Sequence, residues 1–174
     1  MRRLTFALLV LSFAVTPAAA GPGDPFGGDD AGCIPPTAND AACEDGVAKA
    51  IRKYMQAVIK CHIKAADSGG FVDDELCESD ATTGKGAKEK YDAAIAKLAP
   101  TCSGQCAFLN APGLRSTVEG LLEAGNGLIY ACPGAAFGGD DSGNVPPDPT
   151  TRKCEDGVAK AISKYIARVI KCHI

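Results

Sequence analysis

This chain repeats itself. Residues 26–63 align with residues 137–174 at an offset of 111 without a gap, and 25 of the 38 aligned positions are identical. The shared text is Phe-Gly-Gly-Asp-Asp, then Pro-Pro, then Cys-Glu-Asp-Gly-Val-Ala-Lys-Ala-Ile, Lys-Tyr and Val-Ile-Lys-Cys-His-Ile. Cys43, Cys61 and His62 therefore correspond to Cys154, Cys172 and His173. A repeat of this kind marks one supersecondary unit used twice. The second copy holds only the opening third of the unit, so the pattern predicts one whole module over 39–132 and an incomplete second copy, a single helix, over 151–174.

Composition narrows what such a unit can do. At 174 residues the chain has room for one domain, or one plus a fragment. Eighteen basic residues against 21 acidic ones give no electrostatic basis for binding nucleic acid. Residues 1–20 have the form of an export signal: Arg2 and Arg3 precede an apolar run of 12 residues, and Ala18, Ala19 and Ala20 supply a cleavage site. That run is too short to span a bilayer, so no membrane span is expected. Loss of the two signal arginines takes the formal net charge from −3 to −5 and leaves all nine Cys in the mature chain. Export places these Cys in a secreted or periplasmic setting, where such density signals structural disulfides.

The periodicity predicts an all-α fold, a small disulfide-stapled helical hairpin or bundle. Cys43, Val47, Ile51, Tyr54, Val58, Cys61 and Ala65 make one helical stripe, with Asn39 or Asp40 as cap candidates and Gly69-Gly70 as the stop. A second helix is expected over 81–99 with Tyr91, Ile95 and Leu98 inward, and Cys102 continues the stripe. A third opens near Asn110 and Pro112, buries Leu114, Val118, Leu121 and Leu122, and stops at Gly125-Asn126-Gly127. The Gly-, Pro- and Asp-rich stretches 21–38 and 133–150 read as linkers.

Cys43 and Cys61 lie 18 residues apart on one helical face, about 27 Å along the axis. Bridged Cα atoms lie within about 7 Å, so each must pair with a neighbouring helix. The preferred set is Cys43 with Cys102, Cys61 with Cys77 and, if the chain reverses at 125–127, Cys106 with Cys132. A rival arrangement keeps the third helix straight, carries Cys132 to the far end, and draws Cys33 or Cys154 into the network. Cys33, Cys154 and Cys172 are the candidates for free or inter-chain thiols, and the 154–174 helix is a candidate surface for self-association. Beyond that, no partner is indicated.

Functional motifs are sparse. Cys61-His62 and Cys172-His173 resemble the end of a haem-attachment motif, but Val58 and Val169 stand where its first Cys belongs. In the repeated Gly-Gly-Asp-Asp, Asp140, Ser142 and Asn144 alternate as calcium ligands would, yet Val145 replaces the turn glycine of a calcium loop. Asp73, Asp74, Glu75 and Glu78 form an acidic run that reads as a solvated loop. No catalytic, cofactor or metal residue is assigned. The motif C-x-D-G-x-A-K-A-I-x-K-Y with a terminal Lys-Cys, at 43–54 with Lys60-Cys61 and again at 154–165 with Lys171-Cys172, resembles uncharacterised exported Cys-rich helical proteins of bacteria. That resemblance implies no activity or cofactor. The expectation is a non-catalytic structural or binding module; the alternative is a small metal- or haem-binding protein that uses the Cys-His pairs.

Overall fold

The repeated Gly-Gly pairs turn the chain back on itself, so each glycine-rich stretch contains a β-hairpin rather than an open linker. The computed structural model describes residues 21–174; the export-signal reading falls on residues 1–20, outside them. Two units result, one ending at Pro36 and one running from Thr37 to Ile174. In the first, β1 (Pro25–Gly27) pairs antiparallel with β2 (Asp30–Cys33). Gly27 and Gly28 hold φ of 88° and 64° at the turn, a region in which a side chain would be strained.

The second unit is built on α1 (Ala38–Asp67), whose N-cap is Thr37, one turn earlier than the expected caps. The Thr37 hydroxyl accepts from Asp40 N–H at 3.1 Å. Every residue of the predicted α1 stripe is buried, and so are Ala50, Ile59, His62 and Ala66. The buried face is wider than one stripe because α1 is covered on more than one side. After Gly69 and Gly70, both at positive φ, come α2 (Asp74–Glu78), α3 (Ala87–Ala96), α4 (Ala99–Cys102) and α5 (Cys106–Ile129). The main core joins Val47, Ile51, Tyr54 and Val58 of α1 to Tyr91 and Ile95 of α3 and to Ala111 and Val118 of α5. Its two tyrosines are satisfied: Tyr54 Oη donates to Glu119 at 2.8 Å and Tyr91 Oη to the Ala111 carbonyl at 2.9 Å.

Disulfides staple this layer at both ends of α1. Cys43 is bonded to Cys102, with Cα atoms 5.2 Å apart, and Cys61 to Cys77, at 5.7 Å. The expected Cys106–Cys132 bridge is not formed. Helix α5 does not stop at 125–127 but runs unbroken for 24 residues, roughly 36 Å, and separates the two thiols by that length. Cys33, Cys106, Cys132, Cys154 and Cys172 are all exposed thiols.

The glycines that were read as a helix stop have a different use. The second hairpin, β3 (Ala135–Gly138) and β4 (Asp141–Val145), packs on α5 at this point. A Cβ on Gly127 would stand 2.9 Å from Ser142 Oγ. The Ser142 hydroxyl inserts into the helical ladder, accepting from Gly127 N–H at 2.8 Å and donating to the Glu123 carbonyl at 2.7 Å. Leu121, expected in the core, is exposed, and Glu123 and Asn126 are buried instead. Two two-stranded hairpins thus correct the all-α expectation to a mainly helical fold.

The chain ends in α6 (Pro149–Cys172), capped by Asp148, whose carboxylate accepts from Thr150 and Thr151 N–H. Ala159 packs with Ile59, Ala66 and Tyr130 in a second, smaller core. Tyr130 Oη donates to Asp156 at 2.8 Å, and Cys132 N–H donates to Glu155 at 3.0 Å. The straight α5, as in the rival arrangement, therefore delivers Cys132 to the start of α6, but neither Cys132 nor Cys33 nor Cys154 joins a disulfide.

Candidate metal centre

Four side chains from four elements converge inside the second unit: His62 on α1, Glu78 on α2, Glu123 on α5 and Asp141 on β4. The Cys61–Cys77 disulfide sets the first pair. His62 and Glu78 are each the residue that follows a bridged Cys, so the bond that ties α2 to α1 also brings His62 Nε2 to 2.9 Å from Glu78 Oε1. The hairpin sets the others. Its turn at Gly138 and Gly139 directs Asp141 Oδ1 to 2.9 Å from the same nitrogen, while Glu123 Oε2 lies at 3.5 Å. Gly139, at φ 53°, passes so close to Glu75 that a Cβ there would strike its carboxylate. Asp140 N–H donates to Glu75 Oε1 at 3.1 Å. The Phe137 ring meets His62 edge-on, with centroids 6.3 Å apart, and also packs on Tyr130.

Burial makes this constellation unusual. The side chains of His62, Glu78, Glu123 and Asp141 are 3%, 8%, 5% and 1% exposed. Among the described residues no Lys or Arg forms an ion pair with the three carboxylates. These atoms have only one another for partners and make no well-aligned hydrogen bond: His62 Nε2, Glu78 Oε1, both Glu123 oxygens and Asp141 Oδ1 are buried, as is Asp74 Oδ2. One imidazole N–H cannot serve three carboxyl groups. Unpaired buried polar atoms are rare, and each carries a desolvation penalty of about 1–3 kcal/mol or more.

The ionisation equilibria report the same crowding. Burial pushes Glu78 up to about 8 and Asp141 up to about 9, with the His62 contact opposing both shifts. For His62, burial alone would lower the pKa, but the acceptors Asp141, Glu123 and Glu78 outweigh it and raise it to about 11. Burial would raise Glu123 too, yet contacts with His62, Asp141 and Glu78 bring it down to about 2. Burial thus favours the protonated forms of Glu78 and Asp141, and the surrounding carboxyl groups favour the charged form of His62.

The sequence carries this centre only in part. The acidic run reads as a solvated loop, whereas Asp74 and Glu78 are buried, because the short α2 turns them inward. His62 was considered only together with Cys61, but Cys61 is committed to its disulfide, so the pair cannot attach a haem or act as a joint ligand set. Glu123 and Asp141 were missed. The signal for Asp141 was present in the Gly-Gly-Asp-Asp that both copies share, which a solvated linker does not require. The calcium reading also fails on geometry, since Ser142 Oγ is used up on α5. Comparison with protein-family models, with curated proteins and with solved structures finds no match.

Proposed function

We propose that this protein is an exported, disulfide-stapled module that holds one divalent transition-metal ion between His62, Glu78, Glu123 and Asp141. A single observation carries the reading: one imidazole nitrogen and three carboxylate oxygens, all buried and none in a well-aligned hydrogen bond, lie within 4.8 Å of one another. Ligands bound at about 2.1 Å sit about 3.0 Å apart along an octahedral edge and about 3.4 Å apart along a tetrahedral one. The three distances from His62 Nε2, 2.9, 2.9 and 3.5 Å, are close to those edges, and the four ligand atoms lie within 4.8 Å of one another. Calcium, with bonds of 2.3–2.6 Å, calls for a wider shell, and a mixed nitrogen and oxygen set favours zinc, iron(II) or manganese(II) over calcium and magnesium.

Two further features support a binding rather than a catalytic role. Structural metal sites are closed, whereas catalytic ones keep a position open to substrate, and every ligand here is almost fully buried. A surface cleft of about 520 Å³ beside Lys60, Cys61, Cys77 and Lys90 is lined by none of the four ligands. Two disulfides agree with an oxidising, extracytoplasmic location, and no helix among the described residues is long and apolar enough to cross a membrane.

The test is metal uptake by protein exported into an oxidising compartment, stripped with chelator and titrated with Zn²⁺ or Mn²⁺. One ion per chain is expected. Affinity should rise with pH, because the protons on Glu78 and Asp141 must leave as the ion enters. His62→Gln should weaken binding by more than about 100-fold, since loss of mere outer-shell partners already weakens sites by 10–100-fold. Absence of saturable uptake, or a His62→Gln variant that binds like the parent, would overturn the reading.

A further inference from the structure

The ligands of this centre do not belong to one copy of the repeat. His62, Glu78 and Glu123 lie in the first module, whereas Asp141 lies in the shared text that opens the second copy. Its counterpart at the offset of 111 is Asp30, in β2 of the first hairpin, and the counterpart of His62 is His173. The centre is thus a junction, completed by the hairpin of the next copy. We infer that the bound ion is a clasp between the two repeat copies: metal binding and docking of the β3–β4 hairpin onto the helical module are one linked equilibrium. This inference rests on the metal reading above and adds to it what the ion controls.

Burial couples the two events. Docking carries the Asp141 carboxyl group, 1% exposed, to ligand distance from a site that already contains Glu78 and Glu123, with Asp74 also buried nearby. Without a metal ion, three carboxyl groups share one imidazole, and the lost hydration of Asp141 opposes that approach. With a dication the same carboxylate becomes a ligand, and docking is favoured. The remaining hairpin contacts are the hydrogen bonds to α5, from Asn126 Nδ2 to the Ser142 carbonyl at 3.0 Å and through the Ser142 hydroxyl, the Asp140 N–H bond to Glu75, and the Phe137 ring on Tyr130 and His62. These set where the hairpin sits, and none brings a further cation to Asp141. A ligand that binds only the docked state must shift the equilibrium toward it, and docking must in turn raise its affinity.

Hydrogen exchange of the full chain, followed by mass spectrometry, tests this directly. Metal-stripped protein is compared with protein at a Zn²⁺ concentration 100 times its measured Kd, where linkage permits up to about a 100-fold slowing of exchange. The slowing should be concentrated in residues 135–145, with the α1–α3 core unchanged. Asp141→Asn should bind Zn²⁺ at least about tenfold more weakly and lose the hairpin-specific slowing. Ser142→Ala, which removes no ligand, should loosen the stripped hairpin and enlarge the metal-driven difference. Near-ultraviolet circular dichroism, reporting the Tyr54–Tyr91 core, checks that each variant remains folded. If Zn²⁺ binds the parent but exchange over 135–145 does not change, or if Asp141→Asn binds as tightly as the parent, the clasp is overturned and the metal centre stands. If Zn²⁺ does not bind at all, both fall.

Discussion

Helices α1 and α6 carry nearly the same sequence and bury different faces. Val47 is 4% exposed and its counterpart Val158 is 44%; Tyr54 is 2% exposed and its counterpart Tyr165 is 68%. In α1 the stripe through Cys43, Val47, Ile51, Tyr54 and Val58 is sealed by α3 and α5 and closed at its ends by Cys102 and Cys77. In α6 the stripe with the same letters is exposed at Val158 and Tyr165 and half-buried at Ile162 and Val169, and the helix docks through Glu155, Asp156 and Ala159, with Ile166 and Ile170 against the cores. An amphipathic pattern therefore states which face can be buried; the partners present decide which face is. The same holds for the Cys-His pair, which forms the disulfide and part of the buried cluster in one copy and ends a helix in the other.

The largest expected contrast is between the two tyrosines. Tyr54→Ala removes an aromatic ring packed 5.6 Å from Tyr91 and a hydrogen bond to Glu119, and should destabilise the protein by about 3–5 kcal/mol. Tyr165→Ala, on an exposed face, should change stability by less than about 0.5 kcal/mol. Chemical denaturation of both variants measures the difference. Equal effects would mean that a partner covers the α6 stripe in solution, the self-association expected from the sequence.

A smaller contrast separates the two copies of Cys-His. The double variant Cys61→Ser/Cys77→Ser frees α2 from α1 and should lower stability by about 2–4 kcal/mol. Because the disulfide also holds Glu78 beside His62, metal affinity should fall by about tenfold or more even though every ligand remains. Cys172→Ser, an exposed thiol at the end of α6, should leave both unchanged. Calorimetric titration with Zn²⁺ and thermal melts of both variants measure the two quantities. A double variant that keeps parental affinity would show that α2 is positioned by packing alone.

What could be read in the sequence follows from the range of the forces involved. The α1 stripe and its glycine stop are local, set by helical period and backbone freedom, and they match the structure. Cys43 and Cys61 were separable from each other by helix length alone, a second local argument. The third helix misled because Gly125-Asn126-Gly127 has the composition of a C-terminal turn, while its actual role, admitting the hairpin at Gly127, depends on residues 15 or more positions away. The buried His62 cluster is the extreme case. Its members span 62 to 141 in sequence and meet only after four elements have packed, so period and spacing carry almost no trace of it. What did point to it was the identity of Gly-Gly-Asp-Asp in both copies.

The smallest contrast concerns the two aspartates of the shared Cys-Glu-Asp-Gly text. Asp45 lies on the surface, 3.7 Å from Lys49 one turn on, and an exposed pair of this kind contributes about 0.3–0.5 kcal/mol. Asp156 is buried and accepts from Tyr130 Oη, itself fully buried, at 2.8 Å. Asp156→Ala leaves that hydroxyl without its partner and should destabilise the docking of α6 by about 1–3 kcal/mol, whereas Asp45→Ala should stay within about 0.5 kcal/mol. Tyr130→Phe in the Asp156→Ala background separates the hydrogen bond from the rest, because removing both partners should restore part of the loss. Hydrogen exchange over α6 reads the effect locally. If Asp156→Ala leaves that exchange unchanged, Ala159 and its apolar neighbours hold α6 in place, and the polar contact only orients it.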